Sequence, residues 1–230
     1  MNQADALVKQ GDVLAIKGEW SGAEVDYTKA LQFVPKFQNA LFPLARHAAQ
    51  VGDVRAAIRL YRSGFYATDG KFLTGDTEST MHYALLLSEA GQMPEALAVY
   101  NGAARFVDYN GDGSRALRVL LPVYSDGLQP YSLAEFQSKA NVGASLTCPD
   151  DVRKLQYLQS AVNLYHTGGI ANHYMGEDLK TKPGSEPSAL KAFRAAWEDG
   201  DRQVEAAVVQ AVRSGTPAFV QSAKGIFPDH

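Results

Sequence analysis

The chain has 230 residues, 46% of them hydrophobic and 20% charged, with a formal net charge of −3. That balance supports a packed core and argues against a largely disordered chain. It also lacks the basic field that holds a phosphate backbone, so no nucleic-acid partner is expected. No run reaches the roughly 20 apolar residues of a membrane span. Cys148 is the single cysteine, which excludes an intrachain disulfide and a multi-cysteine metal site.

The chain starts Met1-Asn2-Gln3-Ala4-Asp5. This start carries no basic stretch followed by an apolar one, so the chain as given reads as cytoplasmic. Removal of a signal peptide would leave a similar start on a secreted protein.

Residues 4–110 are predicted to form helices in a repeating pattern. Gly18, Gly52 and Gly91 each follow a segment of helical period. Five residues later come Ala23, Ala57 and Ala96, and four beyond those Tyr27, Tyr61 and Tyr100. Three more residues bring Ala30, Gly64 and Ala103. The upstream halves correspond as well: Leu7, Leu41 and Thr80, then Gly11, Ala45 and Ala84, then Leu14, Ala48 and Leu87. The first two glycines are 34 residues apart, and the third comes five residues late, with Lys71–Gly75 as a longer connection. Small residues at Gly11, Ala23 and Ala30 allow two helices of a hairpin to approach closely. Each glycine ends a first helix, where a left-handed residue is needed. Pro94 falls in a first helical turn, where its missing N–H costs little.

The pattern breaks at Asp108-Tyr109-Asn110-Gly111-Asp112-Gly113. These residues match the opening of a calcium loop, but the twelfth position, which should be a bidentate Glu, is Val119. A plain turn is the expectation, and no metal site is assigned. Residues 111–131 read as an irregular junction. Helices are then predicted from Ser132 to about Ser145 and from Asp150 through Tyr165, with Gly168-Gly169 stopping the second. Residues 174–187 read as an exposed loop. Residues 187–214 read as a degenerate hairpin, with one helix over 189–198, a turn at Gly200-Asp201 like that at Gly52-Asp53, and a second helix over 204–212. His166 and His173 flank the double glycine and are expected in a surface loop. No cofactor is implied and no catalytic set is found: there is no P-loop, no G-x-S-x-G elbow and no histidine ligand pair.

On the residues quoted for 4–110 the chain resembles the tetratricopeptide repeat family. The resemblance implies an all-α, right-handed solenoid of stacked antiparallel hairpins over residues 1–110, continued by a helical region over 132–230. It also implies a non-catalytic interaction or scaffold module that binds another protein or peptide. Family groove positions map to Val8, Asp12 and Ile16 in the first repeat, Phe42, Arg46 and Gln50 in the second, and Met81, Leu85 and Glu89 in the third. The carboxylate clamp of chaperone-binding members is absent, because Val8, Asp12, Met81 and Leu85 stand where its polar and basic residues belong. A mixed apolar groove with one cation suits a segment with apolar anchors, and the C-terminal helices are the competing occupant. The alternative role is a structural protein that assembles with copies of itself. An enzyme with a repeat front end is the third class, and it predicts a closed polar pocket in residues 132–230.

Overall fold

A computed structural model describes residues 3–66, 68, 77–104, 133–165, 169–201 and 208. The turn at 108–113, the junction at 111–131, His166 and nearly all of the segment 204–212 lie outside the described residues. The chain divides into two compact units, Met1–Pro130 and Tyr131–His230. Among the described residues the regular elements are α-helices, paired as antiparallel hairpins.

The first unit holds α1 (Gln3–Ile16), α2 (Trp20–Phe33), α3 (Gln38–Gln50), α4 (Val54–Phe65), α5 (Thr77–Glu89) and α6 (Met93–Ala104). Helices pack in chain order: α1 on α2, α3 on α4 and α5 on α6, with α2 meeting α3 and α4 meeting α5. Turn chemistry produces this pairing. Gly18, Gly52 and Gly91 adopt φ of +78°, +87° and +73°. The next residue's N–H reaches back to close the helix, Glu19 to Leu14, Asp53 to Ala48 and Gln92 to Leu87, at 2.8–2.9 Å. This reversal is the left-handed helix cap. Asp53 then caps α4 by accepting a 2.9 Å hydrogen bond from the Ala56 N–H.

The repeated small and aromatic residues form the core. Ala23, Ala57, Ala96, Tyr61 and Ala30 are fully buried, and Tyr27 is 1% exposed. A β-carbon on Gly11 would lie 2.9 Å from the Tyr27 ring, and one on Gly64 would lie 2.6 Å from Phe42. A side chain at either position would have to push the ring aside. Ala40 and Leu44 of α3 join the cluster of Val8, Ala23 and Tyr27, so the second hairpin completes the core of the first. Burial of this kind is the main stabilising term, about 25 cal/mol per Å² of apolar surface removed from water.

The second unit holds α7 (Leu133–Thr147), α8 (Asp151–Leu164), α9 (Gly169–Leu179) and α10 (Glu186–Glu198). Here α7 packs on α8 and α9 on α10, while α9 also touches α7 and α8. Asp150 caps α8 through a 2.8 Å bond from the Arg153 N–H. The expected loop at 174–187 is corrected. Residues up to Leu179 are helical, Asn172, Met175, Gly176 and Asp178 are buried, and only 180–185 connect α9 to α10. Gly169 opens α9 instead of ending α8. The glycines and prolines suggested a loop, but Gly176 serves packing: its β-carbon would lie 2.5 Å from Phe193. Gly184 (φ +78°), Ala189, Phe193 and Ala196 reproduce the spacing of Gly18, Ala23, Tyr27 and Ala30. Thus α9 and α10 form a further hairpin of the same type. The turn at Gly200 has φ +90°, and the Asp201 N–H bonds to the Ala196 carbonyl as Asp53 does to Ala48.

Candidate interaction face

The first helix of each hairpin in the first unit carries the nine predicted groove positions, at equivalent places in the repeat. The outermost row is Ile16, Gln50 and Glu89. Ile16 is 61% exposed, and Gln50 and Glu89 are also exposed. The middle row is Asp12, Arg46 and Leu85, with Leu85 48% exposed and Arg46 8%. The innermost row is Val8, Phe42 and Met81. Val8 and Phe42 are core residues at 6% and 4% exposure, and Met81 is half-buried.

The buried members tie the hairpins to one another. Phe42 stacks on Phe65 with ring centroids 4.6 Å apart and lies 5.6 Å from Tyr61. Tyr83 of α5 extends this aromatic cluster, stacking on Phe65 at 5.4 Å. Arg46 donates a 2.8 Å hydrogen bond to Ser79 Oγ, linking α3 to α5. The Tyr61 hydroxyl and His82 Nδ1 share a 2.9 Å hydrogen bond, linking α4 to α5. Tyr27 donates to Asp12 at 2.7 Å, within the first hairpin. Trp20 of α2 stacks on His47 of α3 at 4.0 Å and 7°.

These surroundings shift the titrating groups. Burial raises the Asp12 pKa, against the hydrogen bond from Tyr27 and the charge of Arg46. Burial lowers the His82 pKa and Arg46 lowers it further, while Glu89 opposes both. Away from these nine positions, Arg62 grips Glu95 with bonds of 2.6 and 3.1 Å, and Tyr83 donates to the same carboxylate at 2.7 Å. Burial alone would raise Glu95, but the bonds from Arg62 and Tyr83 outweigh it and hold the carboxyl below its ordinary range.

Among the described residues of the second unit, open cavities of about 400 and 440 Å³ are present, each with a mixed polar and apolar lining. His173, expected in a surface loop, lies in α9, and its Nδ1 is 2.9 Å from Asp201 Oδ2. Its ring also meets Phe193 edge-on at 6.2 Å. Among the described residues no group of three or more His, Cys, Asp or Glu side chains is placed to hold a metal ion. Among the same residues no helix is long and apolar enough to cross a membrane.

Stacked hairpins closed by left-handed glycines define an α-solenoid, a helical-repeat protein. The repeats are of the tetratricopeptide type, and solved structures with the same fold agree. A crystal structure of MamA superposes with a TM-score of 0.58 at 16% identity, covering 88% of this chain and 94% of that one. A structure of Pseudomonas aeruginosa pilF superposes with a TM-score of 0.61 at 15% identity, covering 99% of this chain and 93% of that one. At such identities the likeness is one of fold. Neither a family model nor a curated protein sequence matches the chain.

Sequence reasoning assigned the nine positions to the first helix of each hairpin but not the depth of each side chain. It also missed the polar ties to Ser79 and His82. Their one visible signal is that Ser79 and His82 lie on the same helical segment as the groove position Met81.

Proposed function

We propose that the chain is a non-catalytic scaffold that holds another polypeptide on the face presented by α1, α3 and α5. The observation that carries this reading is the exposure of Ile16 and Leu85, at 61% and 48%, at groove positions above a locked row of buried residues. Large aliphatic side chains left in water on a rigid surface favour a partner that covers them. The ties Arg46–Ser79 and Tyr61–His82 hold the second and third hairpins in register, so less ordering is required when a segment binds. Apolar anchors on an extended or helical segment match this chemistry, with Gln50 and Glu89 supplying polar contacts at the edge.

The test is capture by the full chain compared with an Ile16→Asp, Leu85→Asp double variant. Both sites are exposed, so helicity by circular dichroism should be unchanged. Loss of a specifically captured protein is expected. Capture that survives unchanged would move the site off this face. Assembly with copies of itself is the alternative role. Light scattering that shows one monomeric species over a wide concentration range would exclude it.

A further inference from the structure

In the second unit a cavity of about 400 Å³ opens between the end of α7, the start of α8 and the end of α9. Its volume lies in the range of small-ligand pockets, roughly 300–1,000 Å³. Its walls divide by chemistry. Asp178 is 8% exposed, and its Oδ1 and Oδ2 lie 3.8 Å from Lys154 Nζ and 2.5 Å from Lys182 Nζ. One cation would neutralise that carboxylate. The second lysine therefore has hydrogen-bonding capacity to share with a ligand carboxylate. Asp151, at the first turn of α8, also lines the cavity and is exposed, and no ion pair with it occurs among the described residues. Glu177 is engaged by Lys180 at 2.6 Å. Leu146 and Tyr174 complete the lining and remain 51% and 37% exposed.

The cavity therefore sets two lysines, an exposed carboxylate and an apolar shelf side by side. We propose that it binds a small zwitterion of the α-amino-acid class with an apolar side chain. The ligand carboxylate meets Lys154 and Lys182, its ammonium meets Asp151, and its side chain lies on Leu146 and Tyr174. A phosphate dianion fits less well, because Asp151, Glu177 and Asp178 line the same space and repel a second negative charge. This site is independent of the polypeptide-binding face in the first unit.

Calorimetry on the full chain tests the assignment with four probes: L-leucine, N-acetyl-L-leucine, L-leucinamide and inorganic phosphate. Leucine should bind saturably with a Kd of about 1 mM. The acetylated and amidated probes each lose one charged contact and should bind about tenfold more weakly. The Lys154→Gln, Lys182→Gln pair should weaken leucine by about tenfold as well. Because those lysines face a buried carboxylate, the exposed Asp151→Asn variant serves as the second test, with a loss of about fivefold expected for leucine and none for the acetylated probe. Absence of saturable leucine binding at tens of millimolar would overturn the proposal. So would equal binding of the acetylated probe, unchanged affinity in Asp151→Asn, or phosphate binding more tightly than leucine.

Discussion

Gly176 and Phe193 approach so closely that a β-carbon on the glycine would fall 2.5 Å from the ring. The contact joins α9 to α10, and Phe193 is fully buried. It corresponds to the contact of Gly11 with Tyr27 in the first hairpin, where the added atom would lie 2.9 Å from the ring. In both places the absence of a side chain brings two helices together around an aromatic residue.

Gly176→Ala should therefore destabilise the second unit even though alanine is the better helix former. Overpacking a closed core costs about 1–3 kcal/mol, against a gain of about 1 kcal/mol in helix propensity. The expected net effect is a loss of about 1 kcal/mol, read as a lower denaturant midpoint. Gly11→Ala should lose less, because the added atom has more room and meets the edge of the Tyr27 ring. The reverse order of the two variants would show that α10 shifts to absorb the methyl group.

The same contact explains what was legible in the chain. Three hairpins are apparent because Gly18, Gly52 and Gly91 precede their alanines and tyrosines at one spacing. In the hairpin of α7 and α8, Lys154 stands four residues before the buried Leu158 and seven before the buried Ala161, where the earlier repeats have alanine. In α9 and α10, Gly176 and Gly184 are eight residues apart, whereas Gly11 and Gly18 are seven apart. One inserted residue puts the two halves of that hairpin out of step, so its glycines look like loop residues. At the nine proposed contact positions, spacing assigned a helix but not the depth of each side chain. Phe42 and Arg46 lie at positions that face a groove in the family, yet Phe65 and Ser79 draw them into the stack.

The joint between the second and third hairpins should weaken in mild acid. Burial first, and Arg46 second, lower the His82 pKa in the folded chain. The unfolded chain, with an imidazole pKa of about 6.5, then takes up the proton more readily. Stability from this group is complete above that value and falls as pH drops from about 6.5 toward the depressed folded pKa. Asp12 acts in the opposite sense. Its folded pKa is raised by burial, so the folded chain takes up that proton first. Its contribution grows as pH falls through the raised value toward the ordinary carboxylate range. Denaturant midpoints of the parent and of His82→Gln, measured at pH 7.5, 6 and 5, separate the two groups. The variant should lose the upper part of the acid-induced decline and keep the Asp12 contribution. A parallel decline in both proteins would assign the effect elsewhere.

The first hairpin carries polar residues at positions where the second carries its stacking face. In the second hairpin Ala40 and Leu44 of α3 pack against the first hairpin's core, and His47 stacks on Trp20. The equivalent positions of α1, 34 residues earlier, are Ala6, Gln10 and Val13, with Lys9 where Pro43 stands. Lys9 and Gln10 are exposed, and Val13 is 51% exposed. A stacking face in the second repeat thus becomes a largely polar surface in the first, which disfavours the docking of another apolar face. Exchanging these polar residues for the apolar pattern, with Lys9→Leu and Gln10→Leu, should join this exposed valine into one apolar strip along α1. Burying a leucine side chain is worth roughly 1.5–3 kcal/mol, so two substitutions repeated on facing copies are enough to drive weak association. The variant should keep its helicity and show a mass that rises with concentration in light scattering, while the parent shows less association under the same conditions. If the variant stays as dispersed as the parent, Lys9 and Gln10 are not what keeps copies apart at this face, and the geometry of the first hairpin itself must prevent another hairpin from docking.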